Sequence, residues 1–221
     1  MKKNLCCSII ILITLIQPVF SQAISIHFDK TSPQQQYAVS TLEKALLQKK
    51  YSIKAPVPAY QINLILNPKS LSPESFTINP AGKTITITGA DERGLIYGCL
   101  SLAEDIRNGI SLIHCKSKDE KPFLPFRAIK YDLPWDTYRH SYALELHDQT
   151  CRDTSYWKAF LDMMAENRFN ALSFWNLHPY TFLIKPKNFP EASPWNDAAM
   201  KEWQALFHSI TRMALERAVD V

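Results

Sequence analysis

The chain has 221 residues with a formal net charge of +4; it is 46% apolar and 21% charged, with five glycines. This is ordinary globular composition, long enough for one or two domains with real cores. The small, dispersed charge gives no basis for a nucleic-acid partner.

In chain order, the first feature is a leader. Lys2 and Lys3 precede an apolar stretch, "LCCSIIILITLIQPVF", and Val19-Phe20-Ser21 supply small or aliphatic residues before a cleavage point. This is the three-part pattern of a secretory signal peptide over residues 1–21, with a mature chain starting near Gln22. The apolar run is broken by Gln17 and Pro18 and is shorter than the ~20 residues a membrane span needs. No later segment could span a bilayer. The expected location is secreted or periplasmic, with no membrane span after cleavage. Removing Lys2 and Lys3, and no acid, takes the charge from +4 to +2. Three cysteines then remain, Cys99, Cys115 and Cys151. An odd number cannot pair fully within one chain, so this is not a disulfide scaffold, although one bridge between Cys115 and Cys151 stays open.

Residues 22–122 read as an α/β domain. "AISIHFD" (23–29) alternates as a strand, with Ile24, Ile26 and Phe28 on one face. Ser32 before Pro33 opens a helix whose apolar positions are Ala38, Leu42, Ala45 and Leu46. "QINLILN" (61–67) is a second strand. "SFTINPAGKTITITGA" predicts a hairpin with Phe76 and Ile78 against Ile85 and Ile87, turning at Pro80-Ala81-Gly82. Asp91 is the expected cap of the next helix, with Leu95, Cys99, Leu102 and Ile106 as its apolar stripe and Gly109 as its stop.

After the charged, proline-containing linker "KSKDEKPFLP" (116–125), the texture changes. "FRAIKYDLPW" is extended, and a polar, aromatic loop follows through about residue 152. A helix comes next, with Asp153 or Thr154 as cap and Trp157, Phe160, Leu161 and Met164 on one face. "ALSFWNLH" is a strand, followed by a second long loop. The last helix aligns Trp203, Leu206, Ile210, Met213 and Ala214, and "VDV" enters another apolar segment. Strand, helix, strand, helix and the start of a strand are successive βα units with parallel strands. Long loops after strands and short ones after helices fit a (β/α)₈ barrel, whose active face is built by the former. Such a barrel needs about 250 residues, and residues 123–221 suffice for two units and the start of a third. The expectation is therefore the front part of a longer protein; the other arrangement is a complete small α/β protein whose halves share one sheet.

The phrase "ITITGADERGLIYGCLSLAEDIR", with Gly89, Gly94, Tyr97 and Gly98, followed by Arg127-Ala128-Ile129 opening the second part, resembles glycoside hydrolases of the family 20 and family 67 type. The resemblance implies a small zincin-like α/β domain that binds no zinc, followed by a truncated (β/α)₈ catalytic barrel over 123–221. It implies action on glycosidic bonds, hexosaminidase- or glucuronidase-like, with the acid catalysts on later strands. A non-catalytic secreted carbohydrate-binding or assembly module is the alternative.

Family 20 enzymes carry an Asp and an Arg just after the first barrel strand; Asp132 could be that Asp, with Arg139 farther on than the pattern places it. Trp135-Asp136 resembles the Trp-Asp pair that family 67 enzymes have after their first strand, and the two partial likenesses leave the substrate open. Asp136 either hydrogen-bonds sugar hydroxyls or answers Arg139, and Arg139 either grips a uronic acid carboxylate or is a loop charge. Trp135 and Trp175 follow strands, where a flat indole face suits a pyranose, whereas Trp157 and Trp203 belong to helix stripes and the core. Asn176 and His178 complete the candidate carbohydrate-binding set. No "HExxH", glycine-rich phosphate loop or "GxSxG" is present, and His140, His147 and Cys151 lack metal-ligand spacing, so neither metal nor cofactor is expected.

Overall fold

The structure, a computed structural model, describes residues 22–53, 57–69, 71–133, 142–175, 183–193 and 195–221, with the backbone alone at 143–145. The first layer is a five-stranded sheet of β1 (Ile24–His27), β2 (Tyr60–Leu66), β3 (Phe76–Ala81), β4 (Thr84–Gly89) and β5 (Lys118–Glu120). Its order is β1-β2-β4-β3-β5. β1, β2 and β4 are parallel, and β3 runs antiparallel to both β4 and β5. The hairpin turns at Gly82, whose φ of +61° suits glycine. Its register places Ile78 opposite Ile87, but Phe76 opposite Gly89 and Ile85 opposite Pro80. Pro80 is tolerated because β5 pairs only with residues 76–78, leaving no ladder on that side of Pro80 to lose a donor.

Helices α1 (Pro33–Gln48) and α2 (Glu92–Arg107) cover the sheet. Ser32 caps α1 by accepting from the Gln35 amide, with Pro33 at the first turn, and Asp91 caps α2 by accepting from Gly94 N. The expected stripes are the buried ones: Ala38, Leu42, Ala45 and Leu46 on α1, and Leu95, Cys99, Leu102 and Ile106 on α2. They close over Ile62, Phe76, Ile78, Ile85 and Ile87 in a single core.

The second layer does not share that sheet. β6 (Ala128–Asp132) and β7 (Ala171–Trp175) form a separate parallel pair, Ala128 opposite Ala171 and Asp132 opposite Trp175. Asp220 makes a parallel bridge to Ala171 on the other side of β7. Between the strands lie α3 (Tyr142–Arg152) and α4 (Thr154–Glu166); α5 (Asp197–Glu216) follows β7. Asp153 is the cap of α4 and Asn196 that of α5. Trp157, Leu161, Met164, Trp203, Leu206, Ile210 and Ala214 make the second core.

One expectation fails here. Residues 142–152 are a helix and not part of a loop. The segment lacks glycine and proline, pairs Asp148 with Arg152 at 3.0 Å across one turn, and buries Cys151. Arg152 also lies 4.1 Å over the Trp203 ring. Tyr142, His147 and Gln149, which read as loop, are exposed on this helix. All three described cysteines are free thiols.

Candidate functional site

β6 ("AIKYD") and β7 ("ALSFW") each alternate, and the register lines up the alternation. Ile129, Tyr131, Leu133, Leu172 and Phe174 turn toward the helices. The Phe174 ring meets Trp157 at 5.4 Å and Phe207 at 5.5 Å, while Tyr131 meets Trp157 at 4.9 Å. The opposite face carries Lys130, Asp132, Ser173 and Trp175, all exposed. Parallel strands are ordinarily covered on both faces, so this polar, aromatic face is where a further layer or a ligand belongs.

Its carboxyl edge is the most differentiated part. Asp132 and Trp175 are register partners in the last rung. The Lys130 ammonium sits 4.5 Å above the Trp175 ring and 3.6 Å from Asp132 Oδ1. Leu133 N donates to the Trp175 carbonyl at 2.9 Å and fixes the two strand ends together. A flat indole with 40% of the residue exposed, a carboxylate acceptor and an ammonium donor are the parts needed to hold a polyol ring. Asp132 is the one carboxylate on these two strands. The arrangement can therefore bind, but it does not contain the two flanking carboxyl groups, roughly 5–9.5 Å apart, that glycosidic hydrolysis uses.

Of the candidate residues, the structure describes Trp175 and puts it at this edge. Trp135, Asp136, Arg139, Asn176 and His178 lie outside the described residues. Lys130 was not singled out from the sequence, although its signal was there: Lys130 and Asp132 alternate with Ile129 and Tyr131 at period two. Behind the sheet, burial pushes the Tyr131 phenol well above its ordinary pKa, and hydrogen bonds with Cys151 and Tyr156 add to the shift. Burial likewise raises the Cys151 thiol, so both groups stay neutral and structural. Among the described residues, no group of three or more His, Cys, Asp or Glu side chains is placed to hold a metal ion. Among those residues, too, no helix is long and apolar enough to cross a membrane.

A groove of about 470 Å³ between α1, α4 and α5 is the competing cavity, lined by Tyr37, Lys158, Asp162 and Arg217 among others. Three of its charged side chains, Arg217, Asp162 and Lys158, are committed to one another. Arg217 Nε donates to Asp162 Oδ1 at 2.7 Å and its guanidinium stacks 4.6 Å from the Tyr37 ring; Lys158 Nζ reaches Asp162 Oδ2 at 2.7 Å. The Arg217–Tyr37 contact joins the two layers while Asp162 ties Arg217 to α4, and we assign the groove a structural role.

Comparison with known proteins bears on the fold first. Residues 17–114 match the profile of glycosyl hydrolase family 20, domain 2. The N-terminal portion is of the family 20 type. A comparison with curated protein sequences returns no match. Among solved structures, a GH138 enzyme targeting pectin rhamnogalacturonan II superposes with a TM-score of 0.77 at 26% identity, over 89% of this chain and 30% of that one. The β-N-acetylhexosaminidase from Bacteroides fragilis gives 0.57 at 15% identity over 90% of this chain and 39% of that one. CpGH84D gives 0.54 at 8% identity over 90% and 33%. The last two likenesses concern fold alone. A match over about nine-tenths of the chain is more than residues 22–122 supply, so it runs into the second layer as well. The chain spans 30–39% of the length of these three proteins.

Proposed function

We propose that this chain is the N-terminal part of an exported glycoside hydrolase acting on glycosidic bonds in poly- or oligosaccharides. In this reading residues 1–21 are a signal peptide, 22–122 the family 20-type α/β domain, and 123–221 the opening βα units of a (β/α)₈ barrel. The substrate would lie at the carboxyl ends of β6 and β7. The observation that carries the reading is the exposed edge of Lys130, Asp132 and Trp175 on the face of a parallel pair that the helices leave open. Trp135, Asp136, Arg139, Asn176 and His178 would join it from the loops after the two strands. The 26% identity to the GH138 enzyme over most of this chain makes pectic oligosaccharides the first ligands to try, with N-acetylhexosamine oligomers second.

With one carboxylate on its two strands, the 221-residue chain by itself is proposed to bind carbohydrate without cleaving it. Calorimetric titration with pectic and N-acetylhexosamine oligosaccharides, alongside release of reducing ends, tests this. Trp175→Ala should weaken binding about fivefold, the value of roughly 1 kcal/mol of ring contact. Absence of binding to either class, or binding untouched by both Trp175→Ala and Asp132→Ala, would sink the assignment of the site. Hydrolysis that Asp136→Ala or Asp132→Ala abolishes would sink the claim that the acid pair lies elsewhere.

A further inference from the structure

At the opposite end of the same strands lies a buried polar cluster that neither the binding reading nor the apolar cores call for. Glu74, in the loop between β2 and β3, is 8% exposed. Its carboxylate accepts from Arg93 NH1 at 2.7 Å, from Asn170 Nδ2 at 2.8 Å and from Arg127 NH2. Arg127 is the residue immediately before β6, and Asn170 the residue immediately before β7. Arg93 extends the cluster to the third parallel position: its Nε donates to the Ala218 carbonyl at 2.5 Å and its NH2 lies 3.1 Å from Asp220 Oδ1. Asp220 is the residue that bridges Ala171. A single carboxylate and a single guanidinium of the first layer thus hold the amino ends of three consecutive parallel segments.

The surrounding bonds fix the same points. Asn170 Oδ1 accepts from Arg127 N at 2.8 Å, and its Nδ2 also donates to the Pro125 carbonyl at 2.7 Å. Arg127 Nε donates to the Arg168 carbonyl at 2.6 Å, and its NH2 to Tyr97 Oη at 3.1 Å. Glu74 is itself held by Asp91, which accepts from Glu74 N at 2.8 Å while capping α2.

Four described non-glycine residues have positive φ, and three of them are Glu74 (+62°), Arg168 (+64°) and Ala218 (+52°). Arg168 and Ala218 are the residues just past the C-caps of α4 and α5, whose left-handed backbone closes each helix through Phe169 N to Met164 O and Val219 N to Ala214 O, both at 2.9 Å. Two of the three present the carbonyls that Arg127 and Arg93 grip, and the third presents the carboxylate.

We infer that Glu74 is a positioning residue: it sets the height of the three parallel segments relative to one another and to the first layer. A buried ionic cluster contributes little net stability compared with well-packed apolar residues, and its best-attested use is to specify register. Register matters here because a slip by one residue exchanges the two faces of a strand. It would send Lys130 and Asp132 toward Trp157 and bring Tyr131 out to the open face. Five residues of strand carry the setting from the clamp to Asp132 and Trp175, about 16 Å away.

Amide hydrogen exchange on the whole chain, read by mass spectrometry, tests the inference without reference to any carbohydrate. The inference predicts that Glu74→Ala accelerates exchange at least tenfold at 170–172 and 218–220, where Leu172 N bonds Asp220 O and Asp220 N bonds Asn170 O. Residues 61–66 and 84–89 of the first sheet should keep parental rates. Glu74→Gln, which retains the acceptor and loses the charge, should show the same pattern at about threefold, and decides the matter if Glu74→Ala does not fold. Trp157→Phe, which loosens the second core away from the clamp, should raise exchange throughout 154–175 instead. Unchanged rates at 170–172 and 218–220 in Glu74→Gln, or equal acceleration over both sheets, would overturn the inference.

Discussion

Gly94→Ala is the smallest change that tests how the first layer is assembled. Gly94 lies in the first turn of α2, and a Cβ there would stand 2.3 Å from the Ser75 carbonyl oxygen and 3.2 Å from the Ser75 carbonyl carbon. Ser75 cannot simply step aside. Its oxygen accepts from Ala90 N at 3.0 Å, its own amide bonds Ser72 O at 3.1 Å, and its neighbour Glu74 is tied to Asp91. Opening the contact to an ordinary separation means moving backbone by about 1 Å, a strain worth about 1–3 kcal/mol, and stretching the Ala90 bond, worth about 1 kcal/mol more. Alanine's advantage over glycine in a helix offsets about 1 kcal/mol. The net expectation is a loss of about 1–3 kcal/mol, or about 2–12 °C in Tm for a chain of this size. Gly98→Ala provides the internal comparison. There the new methyl meets the Ile87 Cγ2 at 2.5 Å and the Phe76 ring at 3.3 Å, side-chain atoms that yield more cheaply than backbone. Urea unfolding followed by circular dichroism, with the m-value held constant, should rank the stabilities as parent, Gly98→Ala, Gly94→Ala. A Gly94→Ala protein as stable as its parent, or a reversed order of the two alanines, would refute the close-packing argument.

Three further outcomes are expected. Trp157→Phe should cost about 2–3 kcal/mol in the same unfolding experiment, because Trp157 is fully buried and its Nε1 donates to the Cys151 carbonyl at 2.7 Å, a bond Phe cannot replace. In a chain starting at Gln22, Cys115 alone should react with a thiol reagent under native conditions. Cys99 is fully buried with its thiol pushed up to about 12, and Cys151 is buried beneath Tyr131; native-state labelling of Cys99, mapped by peptide mass, would contradict this packing. Burial alone would raise the Asp162 carboxyl, but hydrogen bonds from Lys158 and Arg217 and the Arg217 charge outweigh it and hold the group below its ordinary 3.8. A depressed folded value means stability that is full above pH 3.8 and is lost as pH falls through the folded value. The Tm difference between parent and Asp162→Asn should therefore be present at pH 7 and shrink below pH 3.8; a difference that grows on acidification would reverse the sign of the argument.

The first layer was legible because its residues answer to local rules. Ser32-Pro33 and Asp91 declare helix starts, and the apolar stripes at helical spacing name the buried face. "GLIYG" was visible as a phrase, but its reason is tertiary: Gly94 rests on Ser75 and Gly98 on Ile87 and Phe76, partners between 11 and 22 positions away. The hairpin register came out displaced because apolar residues were matched to apolar residues, and no propensity says that Phe76 should face a glycine across the ladder. Helix α3 was missed for a related reason. Its sequence is polar on one side, and the apolar anchor, Cys151 under Trp157 and Tyr131, becomes recognisable only once α4 and β6 are placed.

Why one end of β6 and β7 could be read as a binding edge while the other could not follows from the reach of the interactions. At the carboxyl edge, Lys130, Asp132 and Trp175 are near in sequence to their own strands, and a period of two sorts them onto one face. At the amino end, Asn170 looks like an ordinary polar residue closing a turn after α4, yet its side chain meets Glu74 at a separation of 96 residues and Pro125 at 45. Nothing in "RFNALSFW" announces that. The stretch is therefore divided by physics into three parts: Asn170 anchored in the first layer, Leu172 and Phe174 in the helical core, and Trp175 at the open edge. If the clamp sets where the open edge stands, the family 20-type domain has a mechanical consequence for a site it does not touch. Damage to Glu74 should then appear as weakened carbohydrate binding with the Lys130, Asp132 and Trp175 side chains all intact.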